Sequence, residues 1–219
     1  MIVEAYGITL KRLTAEYLEL VRGHRNSEAI RNTMEYREII TAEMQQQWFA
    51  GIDNEHNNYM LIFVEDKPIG LISGTQIDWE KGITGNGGIF IWDKDFIETI
   101  HPARAAILLT DIGFYLGMKK NQVKILSDNL RSISFNTSLG YQLLPGQEGV
   151  YNQQYELTAE RYFPAVEKLR SMTGTQGIIK GRFDDPNHVS SANIINRLAK
   201  FEDQLAGKFE ITVQRKDVL

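Results

Sequence analysis

Apolar and polar residues alternate in short runs over the front half of the chain and recur at helical spacing later. The pattern therefore predicts strands first and helix–strand pairs after them. Residues 3–13 read as one strand, with Ile8 and Leu10 alternating against Thr9 and Lys11. Thr14 stands as the N-cap of a short helix that turns Leu18 and Val21 inward. Thr41 opens a second helix, with Met44, Trp48 and Ile52 four apart. YMLIFVED and IGLISGTQID read as two strands joined at Asp66-Lys67-Pro68, and ITGNGGIFIW as a third that ends near Trp92.

Pro102 sits where a helix tolerates proline, at the head of the apolar run ARAAILLTDIGFYLGM. QVKILS reads as a strand, and DNLRSISFNTSLGY as a helix capped by Asp128 and stopped by Gly140. YQLLP and GVYNQQYELT read as a closing pair of strands. The order βααβββαβαββ predicts an α+β (mixed α/β) fold, a mixed, mostly antiparallel sheet flanked by helices.

Past Thr158 the character changes, so the expected division is a domain over residues 1–159 and a C-terminal extension over 160–219. RYFPAVEKLRSM reads as one helix, TGTQGIIKGRFDDPNH as turn-rich chain and FEITVQ as a final strand. ANIINRLAKFEDQLAG is amphipathic, with Ile194, Leu198, Phe201 and Leu205 on one face. That face needs a partner, which is its own core, the cleft or a second copy in a homodimer. The extension carries 10 basic against 8 acidic residues, the remainder 14 against 20.

Composition narrows the class. A net charge of −4 without a basic cluster gives no nucleic-acid footprint. The absence of cysteine removes disulfides and a cysteine nucleophile, and suits a cytoplasmic location. No run approaches a membrane span, so no membrane partner is expected. The four histidines show no metal-ligand spacing, and no G-x-S-x-G or GxxxxGK[ST] motif is present.

The run ILLTDIGFYLGMKKNQVKILSDNLRSISFNTSLGYQL, in this element order, resembles the GNAT superfamily of acyl-CoA-dependent N-acetyltransferases. SDNLRSISFNTSLGY is the most specific stretch, similar to that family's asparagine-led helix closing on Leu-Gly-aromatic. A weaker likeness joins HRNSEAIRNTMEYREIITAEMQQQW to nucleotide-aminosugar N-acetyltransferases. His24 stands there in place of a tryptophan, while Arg25, Asn26, Arg31 and Trp48 match.

The resemblance implies acetyl-CoA as cosubstrate and a small amine acceptor that attacks the thioester directly. It implies an oxyanion donor on the strand ending at Ile91 and Trp92, and a cofactor contact at Asn129. His101 and Arg104 become candidate cofactor contacts, Asp93 and Asp78 candidate bases near strand ends. Arg25, Asn26, Arg31 and Trp48 become acceptor contacts, with surface arginines and a core tryptophan as the bland alternatives.

Two departures stand out. The family's glycine-rich pyrophosphate loop falls on Ile97 to Pro102 in DKDFIETIHPAR, where Ile100 and Pro102 replace glycines and Glu98 adds negative charge. Asn136 stands where many members place a proton-donating tyrosine, and an amide is no general acid near neutral pH. An N-acetyltransferase and a GNAT-fold binding protein that has lost its cofactor loop both remain open on these residues.

Overall fold

The computed structural model describes residues 1–214. The front of the chain builds a hairpin, three helices and a second hairpin. These are β1 (Ile2–Ala5), β2 (Ile8–Arg12), α1 (Leu18–Asn26), α2 (Glu28–Arg31), α3 (Ala42–Ile52), β3 (Asn58–Val64) and β4 (Lys67–Asp78). The middle adds β5 (Ile83–Ile91), α4 (His101–Tyr115), β6 (Lys120–Leu126), α5 (Leu130–Ser138), β7 (Gln142–Leu143) and β8 (Asn152–Thr158). The last part adds α6 (Ala159–Thr173), β9 (Ile179–Phe183), α7 (Val189–Lys200), α8 (Glu202–Leu205) and β10 (Phe209–Val213). The ten strands of the described residues form one sheet in the order β10-β9-β1-β2-β3-β4-β5-β6-β8-β7. Among the described residues only the β5/β6 and β9/β10 pairs are parallel.

The expected single strand over 3–13 is two. Tyr6 and Gly7 both adopt positive φ (58° and 71°) and make a two-residue turn that pairs Ala5 with Ile8. Tyrosine at such a position gives no sequence signal, because turn chemistry there favours Asn or Gly. The β3–β4 turn falls at Glu65-Asp66, since Val64 pairs Lys67 directly. Thr41 does cap α3, accepting from Met44 N–H at 3.2 Å, a contact worth about 1 kcal/mol. The inward face of that helix is Gln45, Trp48 and Phe49, however, and Met44 is exposed.

Alternation along β3 splits two cores. Met60 and Ile62 face a large core with α4 and α6, and Leu61 and Phe63 face a smaller one with α1 and α3. The segment expected to lie outside the domain shares the large core and continues the sheet. Tyr162 and Val166 of α6 are fully buried there, and β9 pairs β1. Strand β9 lies inside the segment read as turn-rich, yet Ile179, Gly181 and Phe183 alternate inward against exposed Lys180 and Arg182. Of the three partners open to the amphipathic helix, its own core is the one it takes. Ile194, Leu198 and Leu205 bury against Leu116 and Phe183. Gly117 (φ 88°) makes that docking possible, because a Cβ there would stand 2.6 Å from the Phe201 ring.

Candidate active site

The parallel pair β5/β6 holds for two positions only, Ile83 with Lys120 and Thr84 with Asn121. Beyond them the strands part. Asn86 occupies the fork, its side-chain oxygen accepting from Gly87 N–H (3.0 Å) and Lys124 N–H (3.3 Å). One side chain therefore takes over donors that a continuing ladder would have used. On the opposite edge of β5 the antiparallel ladder with β4 continues from Asn86 to Ile91, and Trp92 N–H donates to Ile69 O at 3.0 Å. Strand alternation then turns the N–H groups of Ile89 and Ile91 into the gap, where no ladder partner stands.

The gap opens into a cleft of roughly 790 Å³ that passes through the sheet. Arg25, Met34 and Tyr59 line it on the side of α1, and Ala106, Leu109 and Gly113 of α4 line it on the other. Its charged lining residues are Arg25, Lys124 and Arg131 against one acid, Glu35, in a chain of net charge −4. The cleft is thus locally basic in an acidic protein.

The expected site residues divide sharply. Ile91, Asn129, Asn136 and Arg25 line the cleft. Asn129, not Asp128, caps α5, accepting from Ser132 N–H at 3.1 Å. Asn136 donates to Ser132 O at 2.8 Å. Trp92 faces away: its ring packs in the smaller core, stacks on His24 at 4.6 Å, and donates Nε1–H to Pro68 O. Its backbone N–H is already taken by Ile69, so of the two expected oxyanion donors only Ile91 is free.

Arg104 is also spent elsewhere. It donates Nε–H to Thr173 O at 2.7 Å, binding the C-terminus of α6, and its Nη1 stands against Gly7. His101 turns Nδ1 to Thr99 Oγ1 (2.8 Å) and sets its ring edge-on to Phe96. Burial and the nearby Arg104 hold it below the usual imidazole range, so it is neutral near pH 7.

On the acceptor side, Asn26 clamps Ile40 at both N–H and C=O, each at 2.8 Å, and so shapes the wall without facing it. Trp48 packs edge-on against Tyr59 in the smaller core, the bland alternative for that residue. Arg31 lies in the last turn of α2 outside the cleft wall. Asp78 sits at the closed end of the fork, where it accepts from Lys81 N–H and pairs with Lys81 Nζ. Asp93 pairs with Lys67 Nζ at 2.5 Å, and that contact holds its carboxyl below the usual range. Neither aspartate lines the cleft, so neither is placed to take a proton from an acceptor.

Arg25 is the exception on this side. Its Nη2 donates to Tyr36 O at 2.9 Å, while Nη1 is shut from water without a partner among the described residues. Burial alone lowers its pKa. Asn86 and Arg131 were not singled out by sequence. An Asn following Gly at a strand midpoint is the one available cue for Asn86, and Arg131 lay inside the most specific motif.

At the level of sequence, no family model and no curated protein matches the chain. Solved structures do match in fold. FdhC, a nucleotide-linked sugar GNAT, superposes with a TM-score of 0.65 at 18% identity, over 80% of this chain and 99% of its own. Spermidine N-acetyltransferase from Vibrio cholerae, in complex with CoA and spermine, gives 0.60 at 17% identity, over 71% and 98%. RimL, the ribosomal L7/L12 alpha-N-protein acetyltransferase in complex with CoA, gives 0.60 at 14%, over 72% and 98%.

Proposed function

We propose that this chain, which has the GNAT fold, is an acetyl-CoA-dependent N-acetyltransferase acting on a small amine, with a nucleotide-linked aminosugar as its acceptor class. The parting of β5 from β6 carries the reading. It leaves two strand-edge N–H groups, at Ile89 and Ile91, facing a through-cleft, an arrangement that suits an extended amide-bearing arm. An acetyl thioester bound there supplies an activated carbonyl. An amine entering from the α1 side then meets it inside the sheet.

The chain's own part is placement. Ile91 N–H donates to the oxyanion that develops as the amine nitrogen bonds to the acetyl carbon; the oxyanion collapses as the carbon–sulfur bond breaks, and CoA leaves as a thiolate that solvent protonates. The amine proton passes to water, and Asn136 supplies a hydrogen-bonding amide and no acid. Holding both reactants in one cleft makes the attack effectively unimolecular.

Arg25 supports the acceptor class. A buried guanidinium nitrogen without an acceptor suits an anionic oxygen brought by the substrate, and phosphate matches its fork. The fold likeness to FdhC points the same way. The test is CoA release with a nucleotide-linked aminosugar, spermidine and a short peptide as acceptors. The expected result is a kcat/KM for the aminosugar at least tenfold above the others; equal rates on all three would sink the acceptor assignment.

A second reading, a GNAT-fold binding protein, is favoured by the first turn of α4. Pro102 has no N–H there, and His101 N–H is occupied by Thr99 Oγ1. Absence of acetyl-CoA binding at millimolar ligand would select it.

A further inference from the structure

The strand edge of the cleft fits the thioester arm of an acyl-CoA, but the head of α4 does not fit its pyrophosphate. A close backbone cradle needs free N–H groups and no Cβ in the way. Here the turn before α4 carries Ile100, Pro102 lacks a donor, and His101 N–H is engaged. Neither expected compensating side chain serves. Arg104 is bound to Thr173 O, and neutral His101 faces Thr99.

Across the mouth stands Arg131, the second residue of α5. Its guanidinium reaches over the cleft, and Nη2 donates to Ile97 O at 2.8 Å, in the turn that leads into α4. Glu98 is 3.9 Å away and mostly exposed, so it holds the guanidinium only weakly. One N–H on a carbonyl leaves a guanidinium four donors in a planar fork, enough to grip a phosphate with two of them. Thr99, Pro102 and Ala103 form the facing wall, so an anion there would lie between the guanidinium and the first turn of α4.

We infer that Arg131 is the cofactor-phosphate contact of this protein, a side-chain clamp taking the place of the glycine cradle. The inference rests on the acyl-CoA reading above and adds the residue that holds the ligand's anionic end. It explains why the loop dispenses with glycine: a guanidinium approaches from the opposite side of the cleft and needs no close backbone. It also explains the tether to Ile97, which sets the guanidinium at the mouth before any ligand arrives.

The test is isothermal titration of the full chain with two ligands, acetyl-CoA and S-acetylpantetheine, which keeps the thioester arm and lacks the phosphates. Wild type, R131Q and R131K are compared, with thermal unfolding as the control for folding. Arg131 is largely exposed, so all three are expected to melt together. R131Q should weaken acetyl-CoA at least twentyfold and leave S-acetylpantetheine within twofold. R131K should recover part of the loss, and wild-type affinity for acetyl-CoA should fall with added salt. Equal acetyl-CoA affinity in wild type and R131Q overturns the inference while leaving the acyl-CoA reading intact. So does an equal loss on both ligands, which would mean a deformed cleft. Absence of acetyl-CoA binding by wild type overturns both.

Discussion

A fully buried charge and a half-buried one sit on the two sides of this molecule, and the chain treats them oppositely. Asp111 of α4 is fully enclosed, and both of its oxygens are filled from within. Tyr6 and Tyr162 donate hydroxyls at 3.0 and 2.8 Å, and Arg170 of α6 contributes both Nη1 (2.9 Å) and Nη2. Arg25 at the cleft wall has one nitrogen on a carbonyl and the other on nothing. A charge buried for architecture has its lone pairs or protons satisfied by the fold, because an unmet one costs more than a made one returns. A charge left half-met is placed for a partner from outside. The contrast separates a structural centre from a binding wall without reference to any relative.

Removing one partner from each centre should move stability in opposite directions. Asp111→Asn leaves Arg170 facing a neutral amide, and the expected loss is about 3 kcal/mol in denaturant unfolding, the lower end for a broken buried pair. A loss below about 1 kcal/mol would mean that the network is not the staple joining α6 to α4. Arg25→Met removes a buried donor that has no acceptor together with the exposed bond to Tyr36 O, so the free protein should gain at most about 1 kcal/mol. The same variant should lose acceptor binding tenfold or more. If it instead destabilises the free protein as Asp111→Asn does, Arg25 is architectural and the comparison fails.

Alkaline titration sharpens the structural half. Burial, with Asp111 second, raises the Tyr6 phenol well above its ordinary value, and Tyr162 is raised for the same reasons. The unfolded phenols ionise near pH 10, where the folded ones keep their protons. The folded state then binds more protons, so stability is intact below about pH 10 and falls as pH rises through it. Tyr6→Phe should remove part of that slope; an unchanged slope would place the ionisation elsewhere.

The smallest expected effect lies on the acid side. Burial against Trp92 lowers the His24 pKa, only partly opposed by Asp93. Unfolded histidine takes its proton near pH 6.5, the folded one lower. The unfolded state therefore binds more protons in that window, and stability falls as pH drops below about 6.5. His24→Phe, which keeps the stack on Trp92, should flatten this slope in an unfolding series from pH 8 to 5. A parallel pair of curves would remove His24 from the account.

Much of the fold was legible because local rules and tertiary packing agree over long periodic segments. α4, α5, the Thr41 cap and the central strands β3, β4 and β5 follow from spacing and caps. β9 was missed because its small residue Gly181 faces inward between Ile179 and Phe183, which hides a period-two strand inside glycine-rich chain. The candidate site was legible where a residue is held by its own element. Asn129 caps α5, Asn136 bonds back one turn, and Ile91 ends a strand with its N–H in the gap. It was not legible where a partner arrives from far along the chain. Arg104 meets a carbonyl 69 residues later, and Trp92 donates to Pro68 O, 24 residues before it.

By itself the sequence determined the order of the elements from α3 to β8, the absence of glycine from the turn before α4 and the presence of the α5 helix. These are one-dimensional properties, set by spacing, turn chemistry and the absence of a Cβ. Only the tertiary structure decided which charges face the cleft. The orientation of a long side chain depends on what else is near enough to bond it. Arg25, Arg104 and Arg131 carry the same guanidinium; the fold binds the second to a helix end, leaves the first half-met, and stretches the third across the mouth of the cleft.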